Sequence, residues 1–195
     1  KIIIDYINSL SEKIENNLNF GDQYYLIVLS KADNSQHMKD KDSFKYTLNK
    51  LIKYILNQYP SYSMIIKPHP HDYEGIHSLI NSDLLSDKLF IVYDSAIVYS
   101  KKAKRIFNIG PTGVVGHLAN YRKIDVTDYS YTYKDLDMNP YSEIRTLHVS
   151  IEDSSEIARL IDDDEYYDSK ASRVLLDELI YEASFMNEKL LNALN

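Results

Sequence analysis

The stretch Tyr24-Tyr25-Leu26-Ile27-Val28-Leu29 is an apolar run in which no polar residue alternates with the apolar ones. A run of this length is typical of a strand covered on both faces, as in the interior of a parallel sheet. A polar loop follows, and from Asp42 to Tyr59 the apolar residues recur with the period of a helix. The region therefore predicts a strand, a loop and a helix, with Asp42 or Ser43 as the helix N-cap.

The same alternation continues along the chain. Helical periods occur around Ile76–Ile80 and Ala96–Lys102. Strands that alternate with helices at this spacing imply right-handed crossovers. We therefore predict an α/β fold, a Rossmann-like and mostly parallel sheet flanked by helices. The further predicted strands are Ser63–Ile66, Leu89–Val92, Arg105–Ile109, Lys123–Val126 and Arg145–Val149.

These patterns divide the chain into three segments. Residues 1–21 predict an N-terminal helix, and residues 22–150 carry the Rossmann-like alternation. Residues 151–195 predict helices packed on the same domain, ending in a long C-terminal helix from Ser172 to Leu194. The sequence begins without methionine inside an amphipathic segment, so we expect a piece of a longer protein.

Composition excludes several classes of function. The 195 residues are 44% hydrophobic and 26% charged, which suits one large domain with a well-buried core. The net charge of -7 argues against a nucleic acid as the main partner. The chain has no cysteine, so disulfides and thiolate metal sites are excluded. No apolar run reaches the length of a membrane span, and we expect a soluble protein.

The first candidate site is Lys67-Pro68-His69-Pro70, which ends a predicted strand. Ligands of open α/β sheets bind at the carboxyl ends of the strands. The prolines restrict the backbone on both sides of the imidazole. Lys67 can neutralise phosphate charge, and His69 can donate a hydrogen bond to a phosphate or to a leaving nucleotide. The alternative is that the prolines only end the strand and that His69 is an ordinary loop residue.

The second candidate site is Gly110-Pro111-Thr112-Gly113, which follows a predicted strand and opens a predicted helix. Exposed N–H groups at such a place can bind an anion. The Thr112 hydroxyl is a further donor, and Gly113 permits close approach of the backbone. The loop is neither a P-loop nor the dinucleotide fingerprint. The alternative is a tight strand-to-helix turn with ordinary capping.

Together these two loops resemble the C-terminal, donor-binding domain of bacterial GT-B glycosyltransferases that use CMP-sugars. These are the sialyltransferases with an HP motif and the Kdo transferases of capsule synthesis, and the resemblance covers about residues 22–130. It implies that Lys67 and the catalytic His69 contact the nucleotide phosphate, with His69 helping CMP to leave. Thr112 and Gly113 would hold the same phosphate, although the family's second loop normally carries Ser-Ser or Ser/Thr-x-Gly. The remaining candidate binding residues are Asp94, for the ribose hydroxyls, and Ser30, Pro70 and Gly110.

The resemblance also implies an activity. Residues 22–150 would bind a nucleotide-activated sugar, such as CMP-sialic acid, for transfer to a glycan of a bacterial capsule or lipooligosaccharide. The reaction would need no metal and no other cofactor, since helix dipoles and basic side chains neutralise the departing phosphate. The general base would come from an N-terminal acceptor domain or a partner chain, without which the chain would bind donor but transfer nothing. The enzyme would be cytoplasmic, at the cytoplasmic face of the inner membrane.

Three other functions stay open. Asp125-Val126-Thr127-Asp128-Tyr129-Ser130 is similar to the Thr-Asp-Tyr-Ser stretch of teichoic-acid glycerophosphotransferases, which implies a CDP-glycerol donor. A metal-dependent hydrolase could use His69 and His71, with Asp72, His77 and Asp94 nearby. A non-catalytic interaction module could be built on the long C-terminal helix, although such a helix more often packs on its own domain.

One acidic run also needs an explanation. Asp162-Asp163-Asp164-Glu165 could bind a cation, but runs of this kind are far more often a solvated surface or loop. We therefore predict a solvated surface there.

Overall fold

A computed structural model describes residues 23–32, 40–110, 123–127 and 147–171. Within these ranges six strands form one sheet, in the spatial order β3-β2-β1-β4-β5-β6, and every neighbouring pair is parallel. This order is that of a doubly wound Rossmann fold, so the predicted fold class is confirmed. The strands are β1 (Tyr24–Leu29), β2 (Ser63–Lys67), β3 (Leu89–Ile91), β4 (Ala103–Ile109), β5 (Lys123–Thr127) and β6 (Leu147–Ser150).

Helices lie in the connections from β1 to β2, from β2 to β3 and from β3 to β4, and after β6. The α-helices are α1 (Lys41–Gln58), α2 (Ile76–Leu79), α3 (Ala96–Ser100) and α4 (Ser154–Asp162), and residues 164–171 are also helical. No helix of the described ranges has both the length and the apolar character that a membrane crossing demands. The predicted helices at 1–21 and 172–194 lie outside the described residues.

The N-cap of α1 differs from the prediction. The cap is Asp40, whose Oδ1 accepts a hydrogen bond from the N–H of Ser43 at 2.8 Å. Asp40 can reach this N–H because it lies three residues before Ser43, and the helix therefore begins at Lys41, ahead of Asp42. The predicted N-cap role of Asp42 or Ser43 was wrong.

Strand β1 contributes to two cores. Its alternate residues Tyr25, Ile27 and Leu29 belong to a large cluster with α1, α2 and α4 on one face of the sheet. The other residues of β1 belong to a smaller cluster with α3 on the opposite face. Every residue of β1 is buried, which explains why the run is apolar without alternation.

The acidic run lies on the surface but is also part of the structure. Arg105 on β4 is buried, and its Nη2 pairs with Asp164 Oδ1 at 2.5 Å. Its Nε donates to the carbonyl of Leu160 at 2.8 Å. Asp162 accepts from the Tyr59 hydroxyl at 3.0 Å. The run is therefore exposed, as predicted, but Asp164 also ties the helix at 164–171 to β4, and Asp162 ties α4 to the end of α1.

Candidate functional site

The carboxyl ends of β1, β2 and β3 border one cleft of about 360 Å³, which we call the strand-end cleft. Parallel strands bring the residues that follow them to the same edge of the sheet, so the loops after β2 and β3 share this cleft. Its lining residues are Val28, Leu29, Lys67, Pro68, His69, Pro70, Tyr73, Tyr93, Asp94, Ser95 and Ala96.

Lys67 is the last residue of β2, and only 8% of its surface is exposed. Its Nζ donates to the carbonyl of Pro68 at 2.6 Å and to the Tyr73 hydroxyl at 2.9 Å. It also lies 4.8 Å from the centre of the Tyr73 ring, a cation–π contact. An ammonium group has three protons, so these two bonds leave one for a ligand in the cleft. No ion pair connects Lys67 with a carboxylate among the described residues.

His69 opens a tight turn. Its Nδ1 accepts from the N–H of His71 at 3.2 Å, and its carbonyl accepts from the N–H of Asp72 at 2.9 Å. Pro70 begins the 3₁₀ turn Pro70–Asp72, where its fixed φ suits the first position. Because Nδ1 is an acceptor, a neutral His69 carries its proton on Nε2 and can donate from there.

Burial lowers the pKa of His69, and nearby positive groups, including Lys67, lower it further. The carboxylate of Asp72 opposes this effect and raises the pKa. The net direction is down, so His69 is mainly neutral at pH 7 in the free protein. In the free protein at pH 7, His69 therefore donates through Nε2–H and not as a full cation.

Asp72 connects this turn to the loop after β1. Its Oδ2 accepts from the N–H of Ala32 at 3.0 Å. This contact joins residues that are distant in sequence, and it fixes the loop after β2 relative to the loop after β1.

Asp94 follows β3 and is exposed at the cleft. Its Oδ2 accepts from the Tyr99 hydroxyl at 3.1 Å. Burial and the nearby Asp94 raise the pKa of Tyr99, so this hydroxyl stays protonated and donates. The bond orients the carboxylate and leaves Oδ1 as an acceptor for hydroxyl groups of a ligand.

Two predicted site residues, which follow β1 and β4, do not line the cleft. Ser30 is buried, and its N–H donates to the carbonyl of Ile109 at 2.9 Å. Gly110 is also buried and has a φ of 76°, in the left-handed region that favours glycine. Neither residue lines the strand-end cleft. Thr112 and Gly113 lie outside the described residues, so their convergence with His69 stays a prediction.

Tyr73 and Tyr93 belong to the site but were not predicted from the sequence. The Tyr73 hydroxyl accepts from Lys67 and donates to the carbonyl of Tyr93 at 2.9 Å. The two rings meet edge to face, with centres 4.9 Å apart. With 18 tyrosines in the chain, neither residue was distinguishable in the sequence. Their position after predicted strands was the only available signal.

The histidines of this turn do not form a metal site with a third ligand in the described part of the chain. The rings of His69 and His71 stack with centres 5.3 Å apart and planes 7° apart. No group of three or more His, Asp or Glu side chains suited to a metal ion occurs among the residues described. The hydrolase alternative therefore gains no support from this region.

Comparison with solved structures shows that the fold is a known one. The C-terminal CMP-Kdo binding domain of WaaA from Acinetobacter baumannii is 12% identical, with a TM-score of 0.54; the match covers 87% of this chain and 98% of that one. The UDP-GlcNAc 2-epimerase of Methanocaldococcus jannaschii, in complex with UDP-GlcNAc and UDP, is 14% identical, with a TM-score of 0.51. The chain has the Rossmann-like fold of one half of a GT-B protein.

The matched structures differ in how much of their own length this chain covers. The match to the epimerase covers 82% of this chain but only 45% of the epimerase chain, so this chain spans about half of that protein. No protein-family model matches the sequence, and no curated protein matches it either. The comparison therefore confirms the fold, while the choice of donor stays a prediction.

Proposed function

We propose that the chain is the donor-binding half of a bacterial glycosyltransferase and that the strand-end cleft binds the nucleotide of an activated sugar. The observation that carries this proposal is the position of Lys67, His69 and Asp94, which line one cleft at the ends of adjacent parallel strands. Two hydrogen-bond donors for an anion and one carboxylate for hydroxyls match the phosphate and the ribose of a nucleotide. A cleft of about 360 Å³ is within the range of small-molecule sites.

The phosphate would be bound by Lys67 and His69. Lys67 supplies a positive charge in a position that is largely shielded from water, where charge-assisted hydrogen bonds are strong. His69 donates from Nε2, because its Nδ1 is occupied by the N–H of His71. As the bond between sugar and phosphate breaks, negative charge grows on the departing nucleotide, and these two donors stabilise it. His69 is the candidate catalytic residue for this reason.

The ribose hydroxyls would be bound by Asp94. Its Oδ2 accepts from the Tyr99 hydroxyl, and its Oδ1 would accept from the ribose. Thr112 and Gly113 would complete the phosphate site from the loop after β4, as the family resemblance implies. Gly110 and Ser30 would not contact the donor directly. They would support the phosphate site by fixing the carboxyl ends of β4 and β1.

A CMP-sugar is the donor that we propose. Support comes from the Lys-Pro-His-Pro turn and from the likeness in fold to a domain described as CMP-Kdo binding. Transfer would require a glycan acceptor and an acceptor-binding domain or partner chain that supplies the general base. We therefore expect the chain alone to bind donor without transferring the sugar.

Calorimetric titration of CMP, CDP and UDP tests this function. We expect the tightest binding for CMP, and a loss of about tenfold in His69→Ala and in Thr112→Ala, the effect of removing one hydrogen bond to a charged group. His77→Ala is the matched control, because His77 is exposed and does not line the cleft. Tightest binding of CDP would favour the CDP-glycerol alternative. If the chain binds none of the three nucleotides, the transferase proposal is wrong.

The protonation of His69 should respond to the donor. A bound phosphate favours the imidazolium, so CMP is expected to raise the His69 pKa from its lowered value in the free protein. By linkage, His69 takes up a proton as CMP binds near pH 6. NMR titration of the His69 ring protons with and without CMP measures this shift. The His77 signals should not respond to CMP, and an unchanged or lower His69 pKa would contradict phosphate contact.

A further inference from the structure

One aromatic side chain of the strand-end cleft has no role in the binding of phosphate or ribose. Tyr93 follows β3, lines the cleft and is 47% exposed. Among the large hydrophobic residues described, only Tyr46, Leu85 and Tyr93 are strongly exposed. Of these three, Tyr93 alone lines this cleft.

Tyr73 holds Tyr93 in place by two contacts. Its carbonyl accepts from the Tyr73 hydroxyl at 2.9 Å, and its ring meets the Tyr73 ring at 74° with centres 4.9 Å apart. Tyr73 is held in turn by the ammonium of Lys67. The exposed ring is therefore oriented before any ligand arrives, which lowers the entropy lost on binding.

We propose that the Tyr93 ring is the stacking surface for the nucleobase of the donor. Its backbone is two hydrogen bonds away from the Lys67 ammonium, through the Tyr73 hydroxyl. Asp94, the residue proposed for the ribose, is next to Tyr93 in the chain. The cleft thus has, in one connected set of contacts, a ring for the base, a carboxylate for the ribose and a cation for the phosphate.

This proposal rests on the proposed function and makes it more specific. Every nucleobase has a π-face, so stacking on tyrosine adds affinity without selecting among bases. Tyr93 should therefore contribute equally to the binding of CMP and UMP. It should contribute nothing to ribose 5-phosphate, which has the phosphate and the sugar but no base.

The test compares these three ligands on the wild-type chain and on Tyr93→Ala and Tyr93→Phe. We expect Tyr93→Ala to bind CMP and UMP about tenfold more weakly, with ribose 5-phosphate unchanged, because stacking of one base contributes roughly this factor or more. Tyr93→Phe should bind all three as the wild type does, since it keeps the ring. Tyr46→Ala is the matched control, because Tyr46 is similarly exposed and lies in a different groove along α1.

Each outcome separates this inference from the function on which it rests. If the wild type binds CMP and Tyr93→Ala binds it equally well, the stacking role is overturned while the donor-binding proposal survives. If Tyr93→Ala weakens ribose 5-phosphate as much as CMP, Tyr93 shapes the cleft without stacking on the base, and the inference is again wrong. If the wild type binds none of the three ligands, both proposals are overturned. Thermal unfolding of each variant shows whether any loss of binding reflects loss of fold.

Discussion

Replacing Lys67 with methionine is expected to weaken CMP binding by about 10- to 100-fold, since a charge-assisted hydrogen bond contributes about 1.5–3 kcal/mol. The side chain is largely buried at the end of β2, and methionine has a similar volume, so the change keeps the packing but removes the charge and the two hydrogen bonds of Nζ. Cytidine, which lacks the phosphate, should lose much less affinity than CMP, because Lys67 acts on the base only through its bond to Tyr73. Calorimetry with CMP and with cytidine measures the difference directly.

A milder variant tests how Lys67 is held. Tyr73→Phe keeps the ring under the ammonium but removes the hydroxyl that bonds Lys67 Nζ and the carbonyl of Tyr93. We expect a loss of about fivefold in CMP affinity, the effect of one ordinary hydrogen bond.

If Lys67→Met weakens cytidine as much as CMP, Lys67 supports the shape of the cleft and does not bind phosphate.

The fold was predictable because its signals are local. Strands β1, β2 and β3 contain short apolar runs, and α1 between β1 and β2 has the helical period. The parallel arrangement followed from the alternation, and with it the rule that strand ends share one edge of the sheet. That rule placed the turn with Lys67 and His69 at the same edge of the sheet as Asp94, to which the family resemblance gave its role, and all three residues line one cleft.

The features that were missed depend on contacts between distant residues. Ser30 follows a strand, as the cleft residues do, but a bond from its N–H to Ile109 and its burial keep it out of the cleft. Tyr73 enters the site only because the turn that begins at Pro70 reverses the chain. The position of Asp164 beside the buried Arg105 joins residues almost sixty positions apart. Apolar periodicity reports none of these contacts.

Replacing Arg105 with methionine is expected to lower the free energy of unfolding by about 2–3 kcal/mol, since two carbonyl acceptors lose their donor. Arg105 is buried, and it donates to the carbonyls of Leu160 and Lys104 as well as to Asp164. Methionine fills most of the volume but leaves these oxygens without partners. Thermal unfolding should show a midpoint lower by about 5–10 °C, and urea unfolding gives the free energy.

The matched control is Lys50→Met, which breaks the ion pair with Glu152 on the surface and should cost much less, because water screens exposed charges. Buried ion pairs can sometimes be replaced by apolar side chains without loss. An Arg105→Met protein as stable as the wild type would therefore show that packing alone holds α4 and the helix at 164–171.

Arg105 lies towards the amino end of β4, opposite the strand-end cleft, so CMP affinity should not change below the unfolding transition. Loss of binding in Lys67→Met and loss of stability in Arg105→Met would then be separate effects at opposite ends of one sheet.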